Sequence, residues 1–331
     1  MPTPSSDTVI QRPDLGQLVM EFITNAPTMG YIGLEVLPIF TTSEQTATYP
    51  VIPKEALLSL QDTKRAMRGK YPRSDYVFEE GYYATSENGW EELVDDRERR
   101  LYANKFDAEM VAVKRATDII LRSQEKRVAD LVFSSTNFTA NSVTNEWDDS
   151  ANATPIDDIK TGKETIRAAS GMLPTDLIIS YSTYEDLKRC DQIIDLLKYT
   201  FPMIDMNQMT TAQLAKVLDV QRVLVGGAVY NSAKKGQDAS IANLWSNEYA
   251  MLTKISSGDL MEPSIGRTFL WTDDSASNTV VETYREEESR GDVYRVRHDT
   301  SEALIASRDS SGTIVSNISQ AVSYLMDNIT T

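Results

Sequence analysis

Residues 97–133 read RERRLYANKFDAEMVAVKRATDIILRSQEKRVADLVF and contain neither glycine nor proline. Glycine and proline are the residues that most strongly interrupt a helix. Their absence predicts one continuous helix over the whole stretch, which at a rise of about 1.5 Å per residue would be about 50 Å long. A helix of that length exceeds the diameter of a small domain. It therefore suggests a rigid spar in a protein that builds a larger structure.

Size and charge limit the classes of protein that the chain can belong to. It has 331 residues, 41% of them hydrophobic, which is enough for one or two packed cores. The formal net charge of −16 argues against a surface built to grip nucleic-acid phosphates, which requires basic patches. Cys190 is the only cysteine, so no intramolecular disulfide can form. Without a secretory signal or a bilayer-length apolar stretch, we expect a protein made in the cytoplasm, with no membrane partner.

Extended and basic segments precede the long helix. Residues 1–14 are rich in proline and serine, which predicts an extended arm. Residues 31–40 and 46–52 are predicted strands. Residues 54–89 combine basic, aromatic and turn residues with little regular periodicity. Because long loops with little structure of their own are uncommon and usually functional, we interpret this excursion as an arm that contacts a partner.

The region after the helix alternates helix and strand signals. Pro155 predicts the first residue of a helix that ends at Gly171, and Thr210 with Gln213 predicts a capping box. Short apolar runs at 177–180 and 222–226 predict buried strands.

From residue 267 onward, short strand-like runs alternate with turn clusters, which predicts an antiparallel meander. Within it, Tyr294 and Val296 alternate with Arg295 and Arg297. One face of this strand is therefore expected to be buried and the other to meet water or a partner.

Catalytic signatures are missing from the sequence. His298 is the only histidine, lies outside any recognisable triad context, and is predicted to be on the surface. Residues 223–227 place a strand before a glycine pair but lack the other residues of a phosphate-binding loop. We therefore predict no catalytic, cofactor-binding or metal-binding residues. An acidic cytosolic enzyme that uses the mixed α/β stretch stays open as an alternative.

The order of the segments is itself a pattern: an extended arm, a strand, a long excursion, a spar helix, a mixed α/β stretch and a closing β meander. Short stretches accompany this order, namely residues 79–96, 117–129, 147–159, 171–176, 225–233, 244–245, 262–269, 282–286 and 294–297. Together they resemble tailed-bacteriophage major capsid proteins, whose fold was first described in bacteriophage HK97. The resemblance covers nearly the whole chain and depends on loose motifs taken together.

The resemblance implies an α+β, HK97-like capsid fold with an N-terminal arm, an extended E-loop, a long spine helix in a P-domain and a mixed α/β A-domain. The implied division is an N-terminal arm at 1–30, a P-domain at 31–53 and 90–150 with the spine helix at 97–133, an E-loop at 54–89, an A-domain at 151–262, and a P-domain β meander with the C-terminal segment at 263–331.

The function implied by the resemblance is self-assembly into hexamers and pentamers that form an icosahedral head around phage double-stranded DNA. The protein would be found in the virion capsid, assembled in the host cytoplasm. Its implied partners are copies of itself, a scaffolding protein, a portal and a decoration protein, while the DNA would be enclosed without sequence-specific binding. A separate scaffolding protein, or a mature chain, is expected because the chain lacks the helical scaffolding segment with which some members of the family begin.

The E-loop would present basic residues to acidic residues of a neighbouring subunit. The basic candidates are Arg65, Arg68, Lys70 and Arg73, and the acidic candidates are Asp95, Asp96, Glu98, Glu286, Glu287 and Glu288. The closest alternative is a non-viral shell of the same fold, an encapsulin-like nanocompartment that encloses an enzyme cargo.

Overall fold

Helices and strands occur along most of the chain in the computed structural model, which describes residues 10–11, 30–52, 58–65, 67–73, 78–102, 107–200, 209–257, 262–308 and 314–330. The strands are β1 (Ile10–Gln11), β2 (Ile39–Thr42), β3 (Thr46–Val51), β4 (Glu79–Ala84), β5 (Ser86–Asp95), β6 (Ala140–Ser142), β7 (Asp176–Ser180), β8 (Arg222–Gly226), β9 (Val229–Asn231), β10 (Ile241–Asn243), β11 (Ala250–Thr253), β12 (Gly266–Trp271), β13 (Val280–Glu286), β14 (Gly291–Leu304), β15 (Ala306–Arg308), β16 (Ile314–Asn317) and β17 (Ser323–Asp327). The helices are α1 (Gly33–Val36), α2 (Asp96–Tyr102), α3 (Ala108–Val132), α4 (Pro155–Ser170), α5 (Tyr181–Leu187), α6 (Asp191–Thr200), α7 (Thr211–Val217) and α8 (Ile318–Ala321).

The largest sheet is organised by β14, a strand of 14 residues. β13 pairs with residues 291–297 of β14 and β12 pairs with residues 300–304, both antiparallel, so these two strands share one edge of β14. β5 pairs antiparallel with residues 291–300 along the opposite edge. β2 extends the sheet beyond β12, and the backbone of β1 pairs with β13.

The helix that packs on this sheet is shorter than the sequence predicts. α3 has 25 residues, which makes it about 37 Å long, and it begins after Asp107. The Asp107 backbone is extended, and its carboxylate accepts hydrogen bonds from the amides of Glu109 at 3.0 Å and Met110 at 3.4 Å. The prediction of one helix over 97–133 is therefore wrong, because Asp107 caps a new helix and α2 is separate. Among the described residues, no helix has the length and hydropathy needed to cross a membrane.

α3 packs against two sheets. Its N-terminal half, through Val113, Ala116 and Ile120, packs with buried side chains of the large sheet that include Tyr294 and Val296. Its C-terminal half belongs to a second apolar cluster, which it forms with a mixed α/β layer. The helix residues of this cluster are Val128, Ala129 and Val132, and their partners include Ile178, Leu224, Trp245, Met251 and Leu325.

The mixed α/β layer is a five-stranded sheet in the order β6-β17-β11-β7-β8. β7 and β8 are parallel and fully paired over five residues each. Helices α4 to α7 contribute side chains to the core on this sheet. β6 and β17 lie outside residues 151–262 and nevertheless pair into the same sheet. The domain boundaries given above stay a prediction.

Of the predicted excursion at 54–89, residues 54–78 lie between β3 and β4, which pair antiparallel with each other, whereas residues 79–89 include β4 and the start of β5. From here on, the excursion means residues 54–78. β15 and β16 complete a sheet in the order β16-β15-β4-β3. At its base, the ring of Tyr83 stacks on Phe269 of β12 with centroids 4.2 Å apart, and Tyr49 packs on the same ring. The base of the excursion is therefore anchored to the large sheet through aromatic packing.

Local signals in the sequence predict several elements correctly. Pro155 is the first residue of α4, and Gly171 ends it with a left-handed φ of 72°. The capping box of Thr210 and Gln213 opens α7. The strand predicted at residues 31–40 is wrong, since these residues form α1 followed by the start of β2.

Candidate assembly surface

The basic side chains of the excursion are exposed. Arg65 donates from Nε to the carbonyl oxygen of Gly69 at 2.7 Å, and its guanidinium lies 4.6 Å from the centroid of the Tyr71 ring. Arg68 has a left-handed φ of 64° at the turn. Within the described part of the chain, no ion pair involves any of the four predicted cations, Arg65, Arg68, Lys70 and Arg73. All four side chains are exposed.

Apolar side chains are exposed beside these cations. Leu60 and Met67 are almost fully exposed, and Tyr71 is 70% exposed. Large apolar side chains that cluster on a surface mark contact sites more often than scattered single ones do. The excursion thus combines charge with apolar area that has no cover in the described chain.

The two predicted acidic stretches lie side by side, although they are far apart in the sequence. Asp95 is the last residue of β5 and Glu286 is the last residue of β13, and both pair in register with Gly291 of β14. The amide of Asp96 donates to the carbonyl oxygen of Arg290 at 3.1 Å, which continues the ladder. These contacts form one acidic corner at the end of the large sheet, comprising Asp95, Asp96, Glu98, Glu286, Glu287 and Glu288.

Part of this acidic corner is already paired within the chain. Arg285 donates to both carboxylate oxygens of Asp96, at 2.8 and 2.6 Å. The hydrogen bond from this guanidinium is the largest cause that lowers the pKa of Asp96, to about 2. Glu286 accepts from Ser289 Oγ at 2.6 Å, and Asp95 accepts from the amide of Arg97 at 2.6 Å.

The acids that are open to a partner are Glu98, Glu287 and Glu288, all exposed. Of these three, Glu287 alone forms an ion pair among the described residues, with Arg285 at 3.4 Å, and its side chain is 83% exposed. Among the described residues, no ion pair joins the excursion to the acidic corner. A contact between these two predicted sets would therefore be one between copies of the chain.

The face of β14 opposite α3 carries arginine side chains paired with carboxylates. The alternation of residues in the sequence predicts the two faces of the strand but not these partners. Tyr294 and Val296 are buried beneath α3, as predicted, while Arg295 and Arg297 lie on the other face. Arg295 donates to Glu91 at 2.7 Å, and Arg297 donates to Glu282 at 2.9 Å. These guanidinium groups link β5, β14 and β13 across the sheet.

Sequence reasoning missed a buried carboxylate on α3. Glu125 on α3 is 3% exposed and accepts three hydrogen bonds. The donors are the amides of Ile32 at 2.9 Å and Gly33 at 2.7 Å, and the indole of Trp245 at 2.7 Å. Burial is the largest influence on its pKa and raises it, although the three donors act in the opposite direction. The only sequence signal is a glutamate at a position whose helical neighbours at i+3 and i+4, Val128 and Ala129, are apolar.

Glu125 ties three separate segments together. Its carboxylate takes the place of a side-chain cap at the start of α1, which has none of its own. A Cβ at Gly33 would lie 2.6 Å from Glu125 Oε2, so glycine leaves room for the carboxylate. Nearby, Tyr31 donates to Asp118 of α3 at 2.9 Å. The segment that follows the N-terminal arm is thus held against both the spine helix and the α/β layer.

His298 is buried, so the prediction of a surface histidine is wrong. Its Nδ1 lies 3.1 Å from the carbonyl oxygen of Asn278, which must accept, and its Nε2 then accepts from Arg127 at 3.2 Å. Arg127 also donates to both oxygens of Glu302, at 2.9 and 3.0 Å. Burial, followed by the charge of Arg127, lowers the pKa of His298 to about 4. This neutral histidine joins β14 to α3 in a structural network.

Within the part of the chain that the structure describes, no group of three or more histidine, cysteine or carboxylate side chains is arranged to hold a metal ion. The excursion carries exposed charge together with exposed apolar side chains, and the acidic corner carries exposed carboxylates. Such surfaces suit association between proteins.

Comparison with known proteins gives relatives in phages. No family model matches the chain. The chain is 29% identical over 217 residues to the major capsid protein of Burkholderia phage BcepMu, a match that covers 62% of this chain and 66% of that protein. It is 24% identical over 168 residues to the major capsid protein of Pseudomonas phage JBD67, covering 49% of this chain and 52% of that protein. The matches therefore span between about half and two thirds of these relatives.

Solved structures share the fold over most of the chain. A phage-related protein from Bordetella bronchiseptica RB50 superposes with a TM-score of 0.68 at 19% identity, covering 97% of this chain and 98% of that one. The capsid of Cyanophage P-SCSP1u has a TM-score of 0.53 at 9% identity, covering 88% and 86%. A virus-like particle from Pyrococcus furiosus has a TM-score of 0.53 at 11% identity, covering 95% and 98%.

The fold that these structures share with the chain is the HK97-like fold, an α+β fold in which a spine helix packs on a large, mostly antiparallel sheet. In sequence, the chain is similar to phage major capsid proteins. The resemblance predicted from the sequence is confirmed.

Proposed function

We propose that this chain is the major capsid protein of a phage and that its copies assemble into hexamers and pentamers that form a head around double-stranded DNA. The observation that supports the proposal is the sequence similarity to two phage major capsid proteins in a chain with the HK97-like fold. Its role is structural, without a chemical reaction of its own. The protein is found in the virion, after assembly in the host cytoplasm.

The excursion between β3 and β4 would act as the E-loop, which reaches over a neighbouring subunit. Arg68, Lys70 and Arg73 would meet the open carboxylates of the acidic corner, Glu98, Glu287 and Glu288. A single exposed ion pair contributes only about 0–1 kcal/mol. Around closed rings the same contact recurs at every subunit, so these pairs set register while buried apolar side chains supply most of the cohesion.

The acidic composition suits a container for DNA. A net charge of −16 opposes adhesion of DNA to the wall, so the nucleic acid would be enclosed without sequence-specific contacts. The partners that the proposal requires are other copies of the chain, a scaffolding protein and a portal, and it also allows a decoration protein on the outer surface.

Microscopy of the purified protein tests the proposal directly. Size-exclusion chromatography and negative-stain images of the full chain, expressed alone and with the neighbouring phage genes, should show shells or five- and six-fold rings. A stable monomer or dimer under both conditions would overturn it. Shells that contain a protein cargo in place of DNA, after expression with the cargo gene, would favour the encapsulin-like alternative.

A second variant tests the assignment of the arm. Because β3 and β4 pair with each other, residues 54–77 can be replaced by a short glycine–serine linker without breaking that pairing. We expect the variant to fold as a monomer that fails to assemble. Normal shells from this variant would contradict the E-loop assignment.

A further inference from the structure

α2 turns one side to the large sheet and the other to solvent. On the sheet side, Arg99 forms an ion pair with Asp292 of β14 at 2.5 Å. Arg100 and Leu101 lie three and four residues after Arg97, so these three side chains share a face of the helix, and this face lies opposite Arg99. All three are exposed, Leu101 to 68%.

The first turns of α3 have an outward face of similar composition. Met110 and Lys114 are four residues apart and Val111 lies between them, so the three share a side of the helix. All are exposed, whereas the buried side of the same turns packs on the large sheet. Arg99 of α2 also pairs with Glu109 of α3 at 3.4 Å, which ties the two helices together. The outward faces of α2 and α3 therefore lie on neighbouring helices.

These two faces together are called the basic face, which comprises Arg97, Arg100, Leu101, Met110, Val111 and Lys114. Among the described residues, its three cations form no ion pair. Glu98 is also exposed on α2, about 100° around the helix from Arg97. In a chain with a net charge of −16, three cations within a few helical turns form a local excess of positive charge.

We propose that the basic face binds an acidic amphipathic helix of a separate protein. The inference rests on the proposed function, which requires a separate assembly partner, and it adds the surface that this partner contacts. A helix suits the surface because two neighbouring helices leave a groove that receives a ridge of apolar side chains. Carboxylates beside that ridge pair with the three cations, while the ridge covers Leu101, Met110 and Val111.

The combination of charge and apolar area identifies the occupant. DNA would neutralise the cations and leave the three apolar side chains in water. The acidic corner of a second copy consists of carboxylates, so it would match the charges and also leave the apolar side chains in water. A helix with acidic and apolar residues on adjoining sides matches both.

Peptide binding tests the proposal with a probe of defined chemistry. The probe is a fluorescent amphipathic helix with leucines on one side and glutamates on the other, and its control peptide has lysines in place of the glutamates. We expect fluorescence anisotropy to show that the full chain binds the glutamate peptide more tightly than the lysine peptide. Arg97→Glu with Arg100→Glu should weaken binding of the glutamate peptide about tenfold, because two attractive contacts become repulsive.

Two matched variants separate the basic face from other exposed cations. Lys234→Glu with Lys235→Glu makes the same change in net charge between β9 and β10, and Lys70→Glu with Arg73→Glu makes it in the excursion. Both should bind the glutamate peptide as tightly as the unmodified protein, and matching melting temperatures verify that all variants are folded. Equal affinities for the three double variants, or a loss confined to either control, would overturn the proposal.

Assembly without other phage proteins distinguishes a separate partner from a second copy. Arg97→Glu with Arg100→Glu should form the same shells or rings as the unmodified chain when each is expressed alone. Loss of these assemblies in the variant would make the basic face a contact between copies and overturn the proposal. Failure of the unmodified chain to assemble even with the neighbouring phage genes would instead contradict the proposed function, and the peptide affinities would still decide the inference about the basic face.

Discussion

The indole N–H of Trp245 donates a 2.7 Å hydrogen bond to Oε1 of Glu125, and both side chains are buried. Trp245 follows β10 in the α/β region, and Glu125 lies in the C-terminal half of the spine helix. The same carboxylate accepts from Ile32 and Gly33. One side chain therefore couples the α/β layer, the spine helix and the segment after the N-terminal arm.

Removal of the Glu125 carboxylate should destabilise the fold strongly. Glu125→Ala leaves three buried donors unsatisfied, each of which costs about 1–3 kcal/mol, so we expect the free energy of unfolding to fall by about 3 kcal/mol or more. Glu125→Gln keeps one acceptor and should lose less, although its NH₂ group would face one of the amide donors. Urea denaturation of the monomer measures both. Asp130→Ala on the same helix removes only an exposed pair with Lys126 and should cost under about 1 kcal/mol. Equal losses for Glu125→Ala and Asp130→Ala would contradict the coupling.

Two adjacent glycines offer a matched test of the space around Trp245. A Cβ at Gly226 would lie 2.3 Å from Trp245 Cδ1, whereas the nearest atom to a Cβ at Gly227 is 3.7 Å away. Gly226→Ala must displace the indole from its bond to Glu125, and overpacking of this kind costs about 1–3 kcal/mol. Gly227→Ala should change stability by less than about 0.5 kcal/mol. Thermal unfolding measures the melting temperatures of both variants. Similar values would argue against close packing of the Trp245 ring on Gly226.

The single histidine should produce a measurable loss of stability in acid. The pKa of His298 is about 4 in the folded protein because of burial, whereas an unfolded histidine titrates near 6.5. As pH falls from 6.5 to 4, the unfolded chain binds the proton first. The free energy of unfolding should therefore decrease over this window by about 3 kcal/mol in total, and level off for this group below it.

His298→Gln removes this titration, so the difference between the two proteins isolates it. Protonation of carboxylates also lowers the free energy of unfolding in acid, and it does so in both proteins. Glu302 is one such group: burial raises its pKa, but the hydrogen bond and charge of Arg127 lower it overall. The unmodified protein should approach the variant, or fall below it, as pH drops from 6.5 to 4. If plots of the free energy of unfolding against pH ran parallel for the unmodified protein and His298→Gln, His298 would be accessible in the native state.

The buried histidine illustrates which features the sequence can predict. Pro155, Gly171 and the Thr210 box act on their immediate neighbours, so local patterns predict their positions correctly. His298 is buried by Asn278 and Arg127, which are 20 and 171 residues away, and nothing near it in the sequence indicates their approach. Composition around a residue therefore predicted exposure where tertiary contacts produce burial.

The candidate surface also combines features that local sequence patterns predict with features that depend on distant contacts. The exposure of the basic excursion follows from its composition, and the two faces of β14 follow from the alternation of Tyr294 with Arg295. The pairing of Asp96 with Arg285 joins positions 189 residues apart, so the sequence could not show that one predicted interface acid is already engaged. Residues 33–36 form α1, and Glu125, more than 90 residues away, accepts the amides at its start, so no local pattern indicates this helix.

Charge reversal in the excursion should slow assembly, and high salt should slow assembly of the unmodified protein for the same electrostatic reason. Lys70→Glu with Arg73→Glu removes two attractive contacts per subunit and adds repulsion. Exposed ion pairs are screened by salt, so assembly of the unmodified protein should also slow as ionic strength rises. Light scattering follows both effects. Lys234→Glu with Lys235→Glu, two exposed cations between β9 and β10, changes the net charge equally and serves as the control. If Glu287→Lys with Glu288→Lys restores assembly, the acidic corner is the partner of the excursion. If the control pair slows assembly equally, the effect depends on net charge and not on the excursion.

The start of the spine helix provides a test of the corrected boundary. Asp107 accepts hydrogen bonds from the amides of Glu109 and Met110, and its negative charge lies at the positive end of the α3 dipole. Asp107→Ala should lower the free energy of unfolding by about 1 kcal/mol, whereas Asp107→Ser, which retains a capping oxygen, should cost less. Chemical denaturation measures the difference. If a continuous helix ran through this position, alanine would be the better residue there and Asp107→Ala would stabilise the protein. The sign of this one change therefore distinguishes a capped helix that begins at Ala108 from a single spar.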